Sequence, residues 1–102
     1  MKELIEKLQT TRHEYHYDAG HAWLKVKKPD LIALDIEDQI TGYSYAYSGN
    51  VYLEEDLDAI TYLKALFPNG FDTPEFQDFK AMFLKEINDG DISTIRSFPH
   101  YK

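Results

Sequence analysis

Cysteine is absent from all 102 residues. That excludes a disulfide framework, a thiolate nucleophile and a zinc ribbon, and a reducing cell interior is the compartment such a chain suits. Cations are also short: eleven Lys and Arg stand against eighteen Asp and Glu, for a net charge of -7. Only Arg12 and Arg96 carry the planar fork that grips phosphate best. A negative field of this kind repels phosphate backbones, so generic nucleic-acid binding is disfavoured. No apolar run approaches the ~20 residues of a membrane span. The opening Met1-Lys2-Glu3-Leu4-Ile5-Glu6-Lys7-Leu8 mixes charge with apolar residues, unlike a signal peptide. There is no internal repeat, low-complexity linker, Ser-His-Asp order, phosphate-cradling glycine loop or helical His-Glu-x-x-His pattern. These absences set familiar hydrolases and kinases aside and lean against an enzyme. They call for no cofactor.

What is present is a hydrophobic fraction of 43% with 15% aromatics, enough at this length for one core. The expected fold is α+β, a single domain over 1–102: two antiparallel hairpins forming a small sheet, a short crossover helix, and two amphipathic C-terminal helices packed on it. Residues 1–10 read as a short docking helix with Leu4, Ile5 and Leu8 on one side. Residues 91–102 read as a loose tail or an edge strand through Ile92 to Phe98.

The first hairpin carries its own register. A two-residue turn at Ala19-Gly20 pairs Tyr17 with Ala22, Tyr15 with Leu24 and His13 with Val26 on an apolar face. The other face then sets His16 against Trp23, Glu14 against Lys25 and Asp18 against His21, so a slip of one residue would spoil both faces. Pro29 stops the strand, and Leu31, Ile32, Leu34 and Ile36 form the crossover. Ile40–Tyr47 and Val51–Glu55 make a second hairpin around Ser48-Gly49-Asn50. Tyr43, Tyr45, Tyr47, Tyr52 and Glu54 share one of its sides; Ser44, Ala46, Val51 and Leu53 share the other.

Glu55, Asp56 and Asp58 open the next helix, where negative charge suits the dipole, with a stripe of Leu57, Ile60, Leu63 and Phe67. A last helix starts at Thr73 as N-cap with Pro74 behind it. It carries Phe76, Phe79, Phe83 and Ile87 on one face and closes at Asn88-Asp89-Gly90.

Three blocks, Asp18-Ala19-Gly20-His21-Ala22-Trp23-Leu24, Ile40-Thr41-Gly42-Tyr43-Ser44-Tyr45 and Val51-Tyr52-Leu53-Glu54-Glu55-Asp56-Leu57-Asp58, resemble a group of small, functionally uncharacterised bacteriophage and prophage proteins. The resemblance spans roughly residues 15 to 60. It implies a mobile-element origin and a host-cell cytoplasmic setting, but no activity. Relatives often carry cysteine where Leu57 stands here, and the departure argues against a thiol-dependent role.

Candidate sites follow. Acidic Glu54, Glu55, Asp56 and Asp58 with exposed Trp23 and Tyr52 would form a partner-binding surface, although acids also gather at helix starts for dipole reasons. The tyrosine side is either covered, with the phenylalanine-rich last helix as lid, or an open platform where Tyr45, Tyr47, Trp23 and His16 stack a small nucleotide. His16, Asp18 and His21 offer three metal ligands, with Glu14 as base. The plainer account has Asp18 accepting turn amides and His21 donating to it. His13 reads as a hydrogen-bonded core histidine. Lys25, Lys27 and Lys28 form the one basic cluster, read as residues that discourage edge pairing. The leading expectation is a non-enzymatic phage-type accessory protein that binds and inhibits a host protein, such as a defence factor. A nucleotide-sequestering protein and a metal-dependent enzyme are the rivals.

Overall fold

A computed structural model describes residues 1–102. The fold is α+β, built on one five-stranded mixed sheet. In chain order the elements are α1 (Lys2–Gln9), β1 (His13–Tyr17), β2 (Ala22–Lys27), α2 (Lys28–Ala33), β3 (Tyr45–Tyr47), β4 (Asn50–Glu54), α3 (Asp58–Leu66), α4 (Pro74–Met82) and β5 (Leu84–Asn88). Short 3-10 turns follow α2 at Glu37–Gln39 and β5 at Thr94–Ser97. The strand order is β3-β4-β2-β1-β5, antiparallel except where β5 joins β1 in parallel.

The first hairpin has the expected register, from Glu14 opposite Lys25 to Tyr17 opposite Ala22. The expected His13–Val26 pair does not form, because the chain enters β1 from the end of α1 and meets β2 only at Glu14. In the second hairpin Tyr45 faces Tyr52 and Tyr47 faces Asn50 across a tight Ser48-Gly49 turn. Both turn residues have positive φ, 54° and 82°. That is the backbone of a primed turn, which glycine adopts without strain.

Leu24, Val26, Val51 and Leu53 point to one face of the sheet and form the main core with Leu31, Ile40, Tyr62, Leu66, Phe67 and Phe79 from the helical side. Each such side chain contributes about 1.5–3 kcal/mol by leaving water. The stripe of α3 differs from expectation. Ala59, Tyr62 and Leu66 are buried with Phe67 just beyond, whereas Leu57 and Ile60 are exposed. The N-terminus of α4 is as read: the Thr73 hydroxyl accepts from the Phe76 amide, and Pro74 fills the first position.

Two expectations fail towards the C-terminus. The last helix stops at Met82, and Leu84–Asn88 is instead a strand beside β1, with Ile87 opposite His16. The tail is held in place, and its pairing with the edge of β3 is confined to the stretch around His100, not a strand through Ile92 to Phe98. It forms the 3-10 turn at Thr94–Ser97 and then crosses the sheet face opposite the helices, ending in a bridge between Tyr45 and His100. The lid over the tyrosine side is therefore this tail and not α4, whose phenylalanines belong to the other face.

Candidate functional site

The tail is fastened at the tip of the first hairpin. Asp18 Oδ1 accepts from the Gly20 and His21 amides at 3.0 and 2.9 Å, which is the turn-capping role. The same carboxylate takes the Arg96 guanidinium as a two-bond fork, Nε at 2.6 Å and Nη2 at 2.9 Å, and also the Ser93 amide at 2.9 Å. The Arg96 fork, helped by the three amides, holds the Asp18 carboxyl well below the usual carboxylate range. Gly20 is the close-approach residue here: a Cβ on it would stand 3.2 Å from Arg96 Nη2.

This arrangement does not bring His16, Asp18 and His21 together as a ligand set. Asp18 is saturated by its five donors, and His21 is exposed and tilted against Trp23. His16 lies between two carboxylates, Nδ1 3.1 Å from Asp89 and Nε2 2.9 Å from Glu14. The His16 bond also pulls the Glu14 pKa down. Asp89 in turn accepts the Ser93 hydroxyl at 2.6 Å, so the end of β5, β1 and the tail share one polar chain.

The proposed stacking platform is occupied by the protein itself. Phe98 stacks on Tyr47 with centroids 4.6 Å apart, and His100 stacks on Tyr45 at 4.8 Å. Trp23 is 2% exposed and Tyr52 8%, packed with Ile95 beneath the Arg96 guanidinium. Neither is an exposed interface anchor, contrary to expectation, because tail residues far away in sequence cover both.

The acidic group divides in two. Asp58 is fully buried and leaves the candidate surface: its Oδ2 accepts from the Thr41 amide and hydroxyl and from the Ser44 hydroxyl. It ties the approach to β3 onto the start of α3. Glu54, Glu55 and Asp56 remain at the surface, with carboxylate oxygens within 4.8 Å of one another. Tyr15 donates to Glu55 at 3.2 Å and the Asp56 amide donates to Glu54 at 2.8 Å. No lysine or arginine lies within ion-pair distance of any of the three.

Exposed apolar side chains lie on the segments that lead into and out of this corner. Leu57 is 45% exposed and Ile60 36%, although both were expected in the helix stripe. Tyr43 is 71% exposed and stands next to Ser44, whose hydroxyl accepts from the Glu54 amide. The signal that could have found them is the competing stripe Ala59-Tyr62-Leu66, which turns Leu57 and Ile60 outward.

No helix is long and apolar enough to cross a membrane. Comparison with protein-family models, curated proteins and solved structures returns no match.

Proposed function

We propose that this chain is a non-enzymatic accessory protein of phage type that binds and inhibits a protein of the host cell, in its cytoplasm. The contact surface is the corner between β4 and α3: Glu54, Glu55 and Asp56 flanked by Tyr43, Leu57 and Ile60. The observation that carries the reading is three carboxylates held together without a cation, beside exposed apolar side chains. Like charges at such spacing repel, and a basic partner surface with an apolar hollow relieves that repulsion while burying the rings and aliphatic groups. The phage resemblance supports the choice of a host protein.

The test is affinity capture from host cells at native expression, comparing the natural chain with the triple variant Glu54→Gln, Glu55→Gln, Asp56→Asn. A specific basic partner should be retained by the first, lost by the second, and released as salt is raised. Recovery of the same proteins with both baits, or of none with the natural chain, overturns the proposal.

A further inference from the structure

At one end of the sheet β1 and β2 part. Their pairing stops at Glu14 opposite Lys25, while β2 continues against β4 to Lys27 opposite Asn50. The gap is a cleft of about 260 Å³ whose floor includes His13 and Tyr62. The Thr11 carbonyl can only accept, so His13 donates to it from Nδ1 at 2.7 Å and accepts the Tyr62 hydroxyl on Nε2, also at 2.7 Å. Burial lowers the His13 pKa, which leaves this floor uncharged.

The walls are cationic. Lys7, Arg12, Lys25 and Lys27 line the cleft against two carboxylates, Glu14 and Asp30. Lys25 is 3.7 Å from Glu14, and the other three cations have no carboxylate within 4 Å. This is a local excess of positive charge on a molecule of net charge -7. Lysines alternating on a strand ordinarily keep a sheet edge from pairing. β2 is the middle strand and is paired on both sides at Lys25, so that task does not account for Lys25. The backbone adds a donor. The Lys28 amide bonds to Gly49 on the β4 side at 3.0 Å. Successive amides of an antiparallel strand face opposite neighbours, which turns the Lys27 amide into the gap.

We infer that this cleft binds a small phosphomonoester, with Arg12 and Lys27 on the phosphate oxygens and the Asn50 carboxamide on the remainder. Four cations against two carboxylates leave a local charge of +2, which suits a dianion better than a single carboxylate. A concave site on an otherwise acidic molecule suits a small ligand, because a polynucleotide needs an extended basic track. The inference is independent of the acidic corner.

The experiment is an amide NMR titration of the full chain at low ionic strength, with glycerol 3-phosphate as probe and a short single-stranded oligonucleotide as comparator. Saturable shifts should centre on Arg12, Lys27 and Asn50, with a dissociation constant no weaker than about 1 mM. The double variant Arg12→Gln, Lys27→Gln should weaken binding by about tenfold or more, while Lys64→Gln, Lys85→Gln, an equal loss of charge elsewhere, changes it less than about twofold. All four residues are exposed, so both variants should fold, which melting temperatures equal to that of the natural chain would establish. No saturable shift by about 10 mM probe, equal weakening in both variants, or tighter binding of the oligonucleotide at the same residues overturns the inference.

Discussion

Beneath the helices, fifteen buried residues form one continuous apolar cluster; on the tail side the apolar cluster has three, Trp23 and Tyr52 of the sheet with Ile95 of the tail. The tail side relies instead on directed bonds. The Asp18–Arg96 fork holds one end, and the pairs Ala46 N to Pro99 O and Tyr101 N to Ser44 O, each 2.8 Å, hold the other. The helical side is secured by area removed from water, which is lost only when a large side chain is deleted. The tail side is secured by a few groups whose loss opens it locally while the rest stands.

Deleting a ring from the helical side should have the largest effect. Phe79→Ala leaves a cavity among Phe67, Phe76 and His13 and costs about 3–5 kcal/mol, read as a fall in the urea midpoint. Both faces should unfold together. If Trp23 emission kept its natural midpoint while helical signal fell, the sheet would not be the shared unit the comparison assumes.

Acid should separate the faces by pH. His13 is kept neutral by burial, so the unfolded chain binds a proton that the folded chain refuses. Stability from this group is complete above the ordinary histidine range near ~6.5 and drains as pH falls through it. Asp18 is depressed by Arg96, so its contribution is intact at that pH and drains only below the ordinary aspartate value of about 3.9. Urea midpoints for the natural chain should therefore fall between pH 7.5 and 5, and those for His13→Gln should be flatter. Arg96→Gln should raise amide exchange across residues 93–101 by about tenfold or more and shift Trp23 emission to the red at neutral pH. Equal exchange in the tail of both proteins would break the assignment of Arg96 as the fastening.

The smallest effect belongs to the turn between β3 and β4. Gly49→Ala meets no neighbour but must adopt φ near 82°, costing about 1 kcal/mol on thermal or urea unfolding.

The sharpest reading from sequence was the first hairpin, because its two faces constrain each other: moving Tyr15 off Leu24 also breaks Glu14–Lys25. The start of α4 was equally plain, since Thr73-Pro74 is local chemistry. Its end was not. Phe76, Phe79, Phe83 and Ile87 keep helical spacing past Met82, and only the parallel partner β1, some seventy residues earlier, makes Leu84–Asn88 a strand. The tail lid was hidden for the same reason, as Ile95, Phe98 and His100 follow no period and their partners lie far back in the chain. Asp58 resembled any acid at a helix start, and its burial depends on Thr41 and Ser44 across a loop. The acidic corner was half legible, its carboxylates from composition but not its apolar border.

The tail also covers β3, which is an edge strand, through Ala46 and Tyr45. During synthesis that covering emerges only after all five strands of the sheet. A chain stopped short of Phe98 therefore offers neighbouring polypeptides an unsealed strand and an open aromatic sheet, the combination that seeds misassembly. Truncation before Phe98 should lower soluble yield more than truncation just after Lys102.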